Sequence, residues 1–551
     1  MNFRRSDLLI IAFFVVVALF TFRLAELQLL QHEKYQAEVD KISTRKVTLP
    51  AERGKILDRN GIVLAWNSQY QVIRKNVTFF GTNTREKLLD VFSEEEDPKK
   101  VLRKLEVTGE VSLNLSPDKL YKARAIPEIS IASKAARRYV QNPGISHVLG
   151  YVNTEGIPQR GIEKEYNHLL TGKPGERVTL VNSFGEEVFT KSEIPAQKGE
   201  DIQLTLDASL SQAIYDIFKS TGQLGTAIVM SNTGEVLAMV SYPSYDPNLF
   251  PRGISSKDWQ QLRFDPQSPL LNRAVNPYSP GSVIKPFVSM VALKTGVSPD
   301  ATLNCTGSYQ FKDSEGHTLS IFRDWYLYGH GIVDLKKAIT VSCNVYFYQL
   351  GLQLGIDTLS KYAHLWKIFD RTGIDLPAEM AGVFPDPEWK LKTYNQQWYP
   401  GDTILSSIGQ GYVLATPLEI ARLTEIIANR GQVFPPHFVN SETSSATIVK
   451  LSSKNWAVLV NAMEEAVTKK GHSPADEGTA YHAFLGFGHE VAGKTGTAET
   501  NNTPHSWFTG FSPVKKPQII VTVFVENGGY GSTVAAPIAR KIFDYYYNEH
   551  D

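Results

Sequence analysis

Residues Leu8 to Phe22 form an uncharged apolar run, preceded by Arg4 and Arg5 and continued past Arg23 through Leu24, Ala25, Leu27, Leu29 and Leu30. The run alone is short for a membrane span, but its continuation supplies the length that one transmembrane helix needs. No small-x-small cleavage site follows, so the pattern predicts a retained anchor rather than a cleaved signal peptide. The arginines ahead of it place the N-terminus in the cytoplasm and everything after about residue 30 outside.

Beyond the anchor, Glu33 to Lys46 reads as a polar helix leading away from the membrane. Asn60-Gly61 between two apolar segments predicts a hairpin. Residues 80 to 140 are charged and helical in tendency, and Gly172-Lys173-Pro174-Gly175 adds a turn, which together suggest an irregular mixed domain. The texture changes near Gly199-Glu200-Asp201. A helix from Leu210 to Phe218 precedes a hairpin made of Thr226–Met230, the turn Ser231–Gly234, and Glu235–Val240. Three more strands are expected at 489–498, 506–511 and 518–526, before a final helix over 536–546. Strands from both ends of this segment, with helices between them, predict one antiparallel sheet completed late in the chain and flanked by helices. The expected organisation is an α+β protein: a cytoplasmic tip and anchor over 1–30, a pedestal over 31–200 and a second domain over 201–551.

Composition narrows the function classes. A chain of 551 residues is too long for one core. Its 57 Lys and Arg balance 57 Asp and Glu, and no basic run is interleaved with aromatics, so nucleic-acid binding has no electrostatic support. Two cysteines, Cys305 and Cys343, exclude a disulfide-rich scaffold and leave one bridge or a shared metal site.

Candidate chemistry begins at Ser282-Val283-Ile284-Lys285, where Pro280-Gly281 provides a turn before an apolar helical run. The i,i+3 spacing puts the Lys285 amine on the face of the Ser282 hydroxyl. A lysine partly stripped of water has its pKa lowered and can take the proton of a candidate nucleophile. The spacing itself is weak evidence, since S-x-x-K occurs four times in the chain, at Ser43, Ser116, Ser282 and Ser512. Acyl transfer also needs a proton donor for the leaving group, donors for an oxyanion and an anchor for the substrate. Ser342-Cys343-Asn344 offers a hydroxyl and an amide; Lys494-Thr495-Gly496-Thr497 offers an ammonium, two hydroxyls and a glycine against which a substrate can lie. The copy at Lys294-Thr295-Gly296 is explained as a helix end. Only one ordered trio places S-x-x-K at a helix start, S-x-N after a helical stretch and K-T-G on a strand.

Those three motifs resemble the active-site motifs of penicillin-binding proteins and serine β-lactamases. Arg53-Gly54-x-Ile56-x-Asp58-Arg59-Asn60-Gly61, Arg160-Gly161-Ile162-Glu163-x-x-Tyr166, Ser241–Asn248, Trp398–Thr403 and Ile408-Gly409-Gln410-Gly411 are similar to elongation-type class B penicillin-binding proteins. The resemblance implies a penicillin-binding transpeptidase fold over 201–551 on a non-catalytic, dimerisation-type pedestal. It also implies D,D-transpeptidation of peptidoglycan stem peptides during elongation. Ser282 would carry the acyl group, Lys285 would be the base, and Ser342 with Lys494 would relay a proton. Asn344 would hold the substrate amide, Thr495 and Thr497 its carboxylate, and the N–H groups of Ser282 and Thr497 the oxyanion. β-Lactams would acylate Ser282. The resemblance further implies an inner-membrane protein with its catalytic domain in the periplasm, working with a RodA-type glycan polymerase and other elongation proteins.

Asp324 and His330 fall between the two cysteines, and Cys305, Asp324, His330 and Cys343 have the chemistry of a closed structural zinc site. Some elongation-type relatives are similar in having zinc here. A Cys305–Cys343 disulfide and two free buried thiols are the alternatives. His505 is expected at the surface. Two other functions compete: a β-lactamase or penicillin sensor, for which no water-activating group is visible, and a non-catalytic scaffold of a wall-synthesis complex.

Overall fold

The computed structural model describes residues 5–36, 44–95, 97–113, 115–182, 187–440 and 447–550. The chain forms two compact units, Met1–Gly54 with His168–Glu200, and Lys55–Asn167 with Asp201–Asp551.

In the smaller unit, Leu8–Leu30 is helical, long and apolar enough to cross a membrane, and unburied. Thr44–Leu49 pairs antiparallel with Gly175–Val181, which pairs in turn with Glu187–Ile194. The polar helix expected over Glu33–Lys46 is therefore shorter: residues 32–36 are helical, 37–43 lie outside the described residues, and Thr44–Lys46 are already strand. The alternating Thr-Arg-Lys-Val-Thr-Leu pattern suits one face of a small sheet better than a helix.

The larger unit begins with the expected hairpin. Ile56–Leu57 pairs with Val63–Lys75, Gly61 takes φ +81°, and the buried Asp58 carboxylate accepts the N–H groups of Asn60 and Ile62 at 2.8 Å each. The helical expectation over 80–140 holds for Thr82–Val91, Pro98–Thr108 and Pro117–Arg124 but fails for Ile129–Tyr139, an 11-residue strand on Val63–Lys75. Its charges concealed the alternation. Lys134 bonds Glu110 at 2.7 Å, and Arg137 is buried in a 2.6 Å ion pair with the buried Glu163.

The rest of this unit is built on one sheet. In chain order the elements that frame the sheet and the site are α1 (Ala208–Thr221), β1 (Gly225–Ser231), β2 (Val236–Tyr242), α2 (Lys285–Lys294), α3 (Leu335–Thr340), α4 (Asn344–Leu354), α5 (Pro417–Ala428), α6 (Ser453–Thr468), β3 (Ala492–Ala498), β4 (His505–Ser512), β5 (Ile519–Val525) and α7 (Ala535–His550). The sheet is antiparallel with strand order β2-β1-β5-β4-β3, so the last three strands join the first two across about 250 residues of helical insert. Every residue of β5 is buried, as a strand covered on both faces requires. On one face Leu210, Ile214 and Phe218 of α1 and Ile538, Ile542 and Phe543 of α7 pack on Val521 and Val523. On the other, α5 is buried along its whole length, and a hydroxyl ladder from Thr424 through Thr509 to Thr522 joins it to the sheet at 2.6 and 2.7 Å. Strand β3 ends the sheet, so among the described residues one of its edges has no strand partner.

Candidate active site

Two close backbone approaches place the candidate nucleophile. Gly281 adopts φ +56°, and a Cβ there would lie 2.7 Å from the Thr497 carbonyl oxygen; at Gly409, φ +75°, it would lie 2.3 Å from the Gly281 oxygen. Glycine at both lets the chain before Ser282 run between β3 and the 409–411 turn. Gly281–Ile284 then forms a 3-10 turn and Lys285 opens α2, with Pro286 in the first turn. Ser282 is thus on the 3-10 turn, and Pro286 is tolerated in a first turn whose helical N–H groups lack partners. From Lys285 to Leu293 every residue of α2 is buried.

The three motifs converge. Lys285, fully buried, donates from Nζ to the Ser342 carbonyl at 2.7 Å, the Asn344 Oδ1 at 2.6 Å and the Ser342 Oγ at 3.3 Å. Lys494, also fully buried, donates to Ser342 Oγ at 2.9 Å and to the Thr495 carbonyl at 2.9 Å. The Ser342 hydroxyl therefore lies between two lysine amines. Burial lowers Lys285 to about 8 against the partial restoring effect of Asp324 and the thiols, and burial with the Lys285 charge holds Lys494 well below the ordinary lysine range. Two adjacent ammonium groups without solvent disfavour each other, so this pair has an intrinsic tendency to shed a proton.

Ser342 reaches this position with φ +57°, uncommon for a residue with a side chain. It turns the chain between the end of α3 and the start of α4, where the Cys343 sulfur accepts the Tyr346 N–H at 3.4 Å. Among the described residues no hydrogen bond joins Lys285 to Ser282; the amine is held by the Ser342–Asn344 turn instead, an arrangement common before substrate arrives.

On β3 the side chains divide. Lys494 reaches Ser342, while Thr495 is buried and donates to the Thr479 hydroxyl at 2.7 Å. The Thr497 hydroxyl accepts the Gly531 N–H at 3.2 Å, and its carbonyl accepts the Gln410 Nε2 at 3.4 Å. Gly496 packs against this region so closely that a Cβ would meet Val283 and Pro280 at 2.9 and 3.0 Å. Thr479, Gln410 and Gly531 escape sequence reasoning: each lies on a loop without periodicity, and only Gln410 falls in a segment singled out by resemblance.

Cys305, Asp324, His330 and Cys343 form a second, buried cluster with one donor atom from each within 4.8 Å of the others. Cys305 and Cys343 are free thiols, so the disulfide alternative is not adopted. Asp324 Oδ2 lies 3.3 Å from Cys343 Sγ and 3.6 Å from Cys305 Sγ, and His330 Nδ1 lies 3.6 Å from both Cys305 Sγ and Asp324 Oδ2. A tetrahedron with bonds of about 2.0–2.3 Å has edges of about 3.3–3.8 Å, so the donor set and its spacings fit a closed zinc site. The same Asp324 Oδ2 accepts the Val345 N–H at 3.0 Å, and the Trp325 indole donates to the Val341 carbonyl at 3.0 Å, so the cluster grips the Ser342–Asn344 turn on both sides. His505 is half-buried and stands outside this donor cluster: its Nδ1 accepts the Asn527 N–H at 3.0 Å and its ring packs edge-on to Tyr278 and Phe524.

Residues 225–544 match the penicillin-binding protein transpeptidase domain, and residues 48–204 match the penicillin-binding protein dimerisation domain. A peptidoglycan D,D-transpeptidase MrdA from Haemophilus influenzae is 33% identical over 95% of this chain and 88% of its own. A solved complex of penicillin-binding protein PBP2 with MreC from Helicobacter pylori is 32% identical, with a TM-score of 0.79 over 92% of this chain and 100% of that one. A structure of a peptidoglycan synthase complex that coordinates polymerization and crosslinking is 30% identical, with a TM-score of 0.75 over 99% of this chain and 98% of that one. The chain thus belongs to the class B penicillin-binding proteins, in the PBP2-type branch.

Proposed function

We propose that this chain is a peptidoglycan D,D-transpeptidase of cell-wall elongation in which Ser282 carries the acyl group. The observation that supports this most is the Ser342 hydroxyl shared by two fully buried lysine amines, one following the candidate nucleophile and one on the edge strand. Neutral Lys285 takes the Ser282 proton as Oγ attacks the carbonyl between the two terminal D-alanines of a stem peptide. The N–H groups of Ser282 and Thr497 hold the oxyanion, a contribution of roughly 3 kcal/mol per donor. As the C–N bond breaks, Ser342 passes a proton from the lysine pair to the departing D-alanine amine. An amine of a neighbouring stem then attacks the ester, its proton returns through the same groups, and Ser282 is released. Asn344 binds the stem amide, Thr495 and Thr497 bind the terminal carboxylate, and Gly496 lets β3 itself pack against Pro280 and Val283 rather than leaving space for substrate.

The protein is read as anchored by Leu8–Leu30 in the cytoplasmic membrane, N-terminus inside, with a pedestal over 31–200 and the transpeptidase domain from 201 onward in the periplasm. Glycan polymerisation is assigned to a RodA-type partner, and the solved neighbour with MreC supports further partners in an elongation complex. Cys305, Asp324, His330 and Cys343 would hold a structural zinc, which would tie their segments to the start of α4 and supply no chemistry to the acyl transfer.

Mass mapping after penicillin treatment of the full chain tests this reading. A long-lived penicilloyl ester at Ser282 is expected. An ester at another residue refutes the mechanism, and rapid release of hydrolysed penicillin makes the chain a β-lactamase.

The pH dependence follows from Lys285. Burial disfavours its cation and lowers it to about 8, and the neutral amine is the competent base. Acylation by penicillin is therefore expected to rise with pH, close to tenfold per unit below about 8, and to level off above it. A flat rate between about pH 6 and 9 would remove Lys285 from the role of base.

A further inference from the structure

We propose that Thr479 is a positioning residue of the substrate-carboxylate anchor, acting through Thr495; this deepens the transpeptidase reading and rests on it. Thr479 sits in the loop between α6 and β3, and its surroundings fix its direction. The Ala480 N–H donates to the Ala466 carbonyl at 2.8 Å and the Gly478 N–H to the Lys469 carbonyl at 3.0 Å. Gly478 itself approaches so closely that a Cβ would lie 2.3 Å from the Glu465 oxygen. The Thr479 N–H points to the Thr340 carbonyl at 3.4 Å, two residues before Ser342. The loop is thereby fastened to the end of α6 and to the end of α3, with the Thr479 hydroxyl aimed at β3.

The hydroxyl pair has a direction. Thr495 Oγ1 donates to Thr479 Oγ1 at 2.7 Å, so its single proton is turned away from any ligand. A carboxylate can only accept, and needs that proton. Among the described residues the Thr479 hydroxyl makes no other hydrogen bond, so its own proton is available to rotate toward the Thr495 oxygen. Thr495 then donates to the incoming carboxylate while accepting from Thr479, and two hydroxyls in series polarise one another toward the anion. Without Thr479, Thr495 keeps its hydroxyl but loses the group that turns it and balances its lone pair when buried. The bond between the two is neutral and reversible, so the anchor switches from a closed pair to an anion donor without moving the backbone.

The test compares full-length wild type, Thr479→Val, Thr479→Ala, Thr479→Ser and Thr495→Val on a stem-type D-Ala-D-Ala peptide and on the same peptide with its terminal carboxylate as an amide. The readout is the ratio of the two acylation efficiencies, with melting temperature recorded for each variant. Thr479→Val and Thr479→Ala are expected to lower the preference for carboxylate about tenfold, and Thr479→Ser to restore it. Measuring both apolar variants keeps a packing defect of either from deciding the result. A proportional fall on both peptides, or an unchanged ratio while Thr495→Val loses it, overturns the role of Thr479 alone. An unchanged ratio in Thr495→Val instead overturns the carboxylate anchor as read above, and the role of Thr479 with it.

Discussion

Ser282→Ala is expected to abolish covalent labelling by penicillin and to lower cross-linking by a factor of about 10⁴ or more, with the melting temperature essentially unchanged. The size of the loss follows from the absence of a substitute. Ser342, the hydroxyl that the two lysines share, is held at φ +57° between their amines, in a geometry suited to passing protons rather than to attack. The stability expectation follows from where Ser282 sits. It is half-buried on a short 3-10 turn whose path is set by Gly281 and Gly409, and α2 behind it is packed through Phe287, Val288, Met290 and Val291. Removing one oxygen there touches none of those contacts, and a change within about 0.5 kcal/mol is expected. Labelling with a fluorescent penicillin and a thermal melt on the same sample decide it. Retained labelling would show another nucleophile; lost labelling with a lower melting temperature would show that Ser282 supports the fold.

Legibility in the sequence varied with how local each signal was. The hairpin at Asn60-Gly61 and the strands β1, β2, β4 and β5 could be read because each is a local pattern of turn residues and apolar runs. Ile129–Tyr139 could not: Lys134, Arg137 and Arg138 interrupt the apolar alternation, and two of the three are neutralised by partners that only the fold supplies. The same contrast runs through the site. The convergence of Lys285, Ser342, Asn344 and Lys494 was legible because three short motifs occur in one order and each in a fitting element. That Lys285 bonds Asn344 and Ser342 rather than Ser282 was not, because side-chain direction at the 3-10 to α-helix junction is set by tertiary contacts. Thr479 gave no signal at all, since its meaning depends on Gly478 packing against the end of α6. The Cys305–Cys343 cluster lay between these cases: residue types suggested a shared site, and only geometry chose between a bridge and four converging donors.

Protein purified without chelator is expected to contain about one zinc per chain, and its removal to lower the melting temperature by about 5 °C and the acylation rate by about tenfold. Four buried donors converge on one point: Asp324 lies against both sulfurs, and the Nδ1 atom of His330 lies against Cys305 and Asp324, so a cation would bind them all at once. Full unfolding is not expected, since the sheet, α1 and α7 form a core that does not include the cluster. The effect on acylation travels a short distance. Cys343 and Val345 flank Asn344, one as a donor of the cluster and the other bonded through its N–H to Asp324, so slackening the cluster releases the turn that holds the Lys285 amine. Cys343→Ser, which offers zinc a poor ligand, should reproduce the chelated state, and readdition of zinc should rescue the stripped wild type but not the variant. A metal content near zero with a melting temperature indifferent to chelation would leave four buried side chains with no shared ion, and would require some other force to hold Asn344 in place.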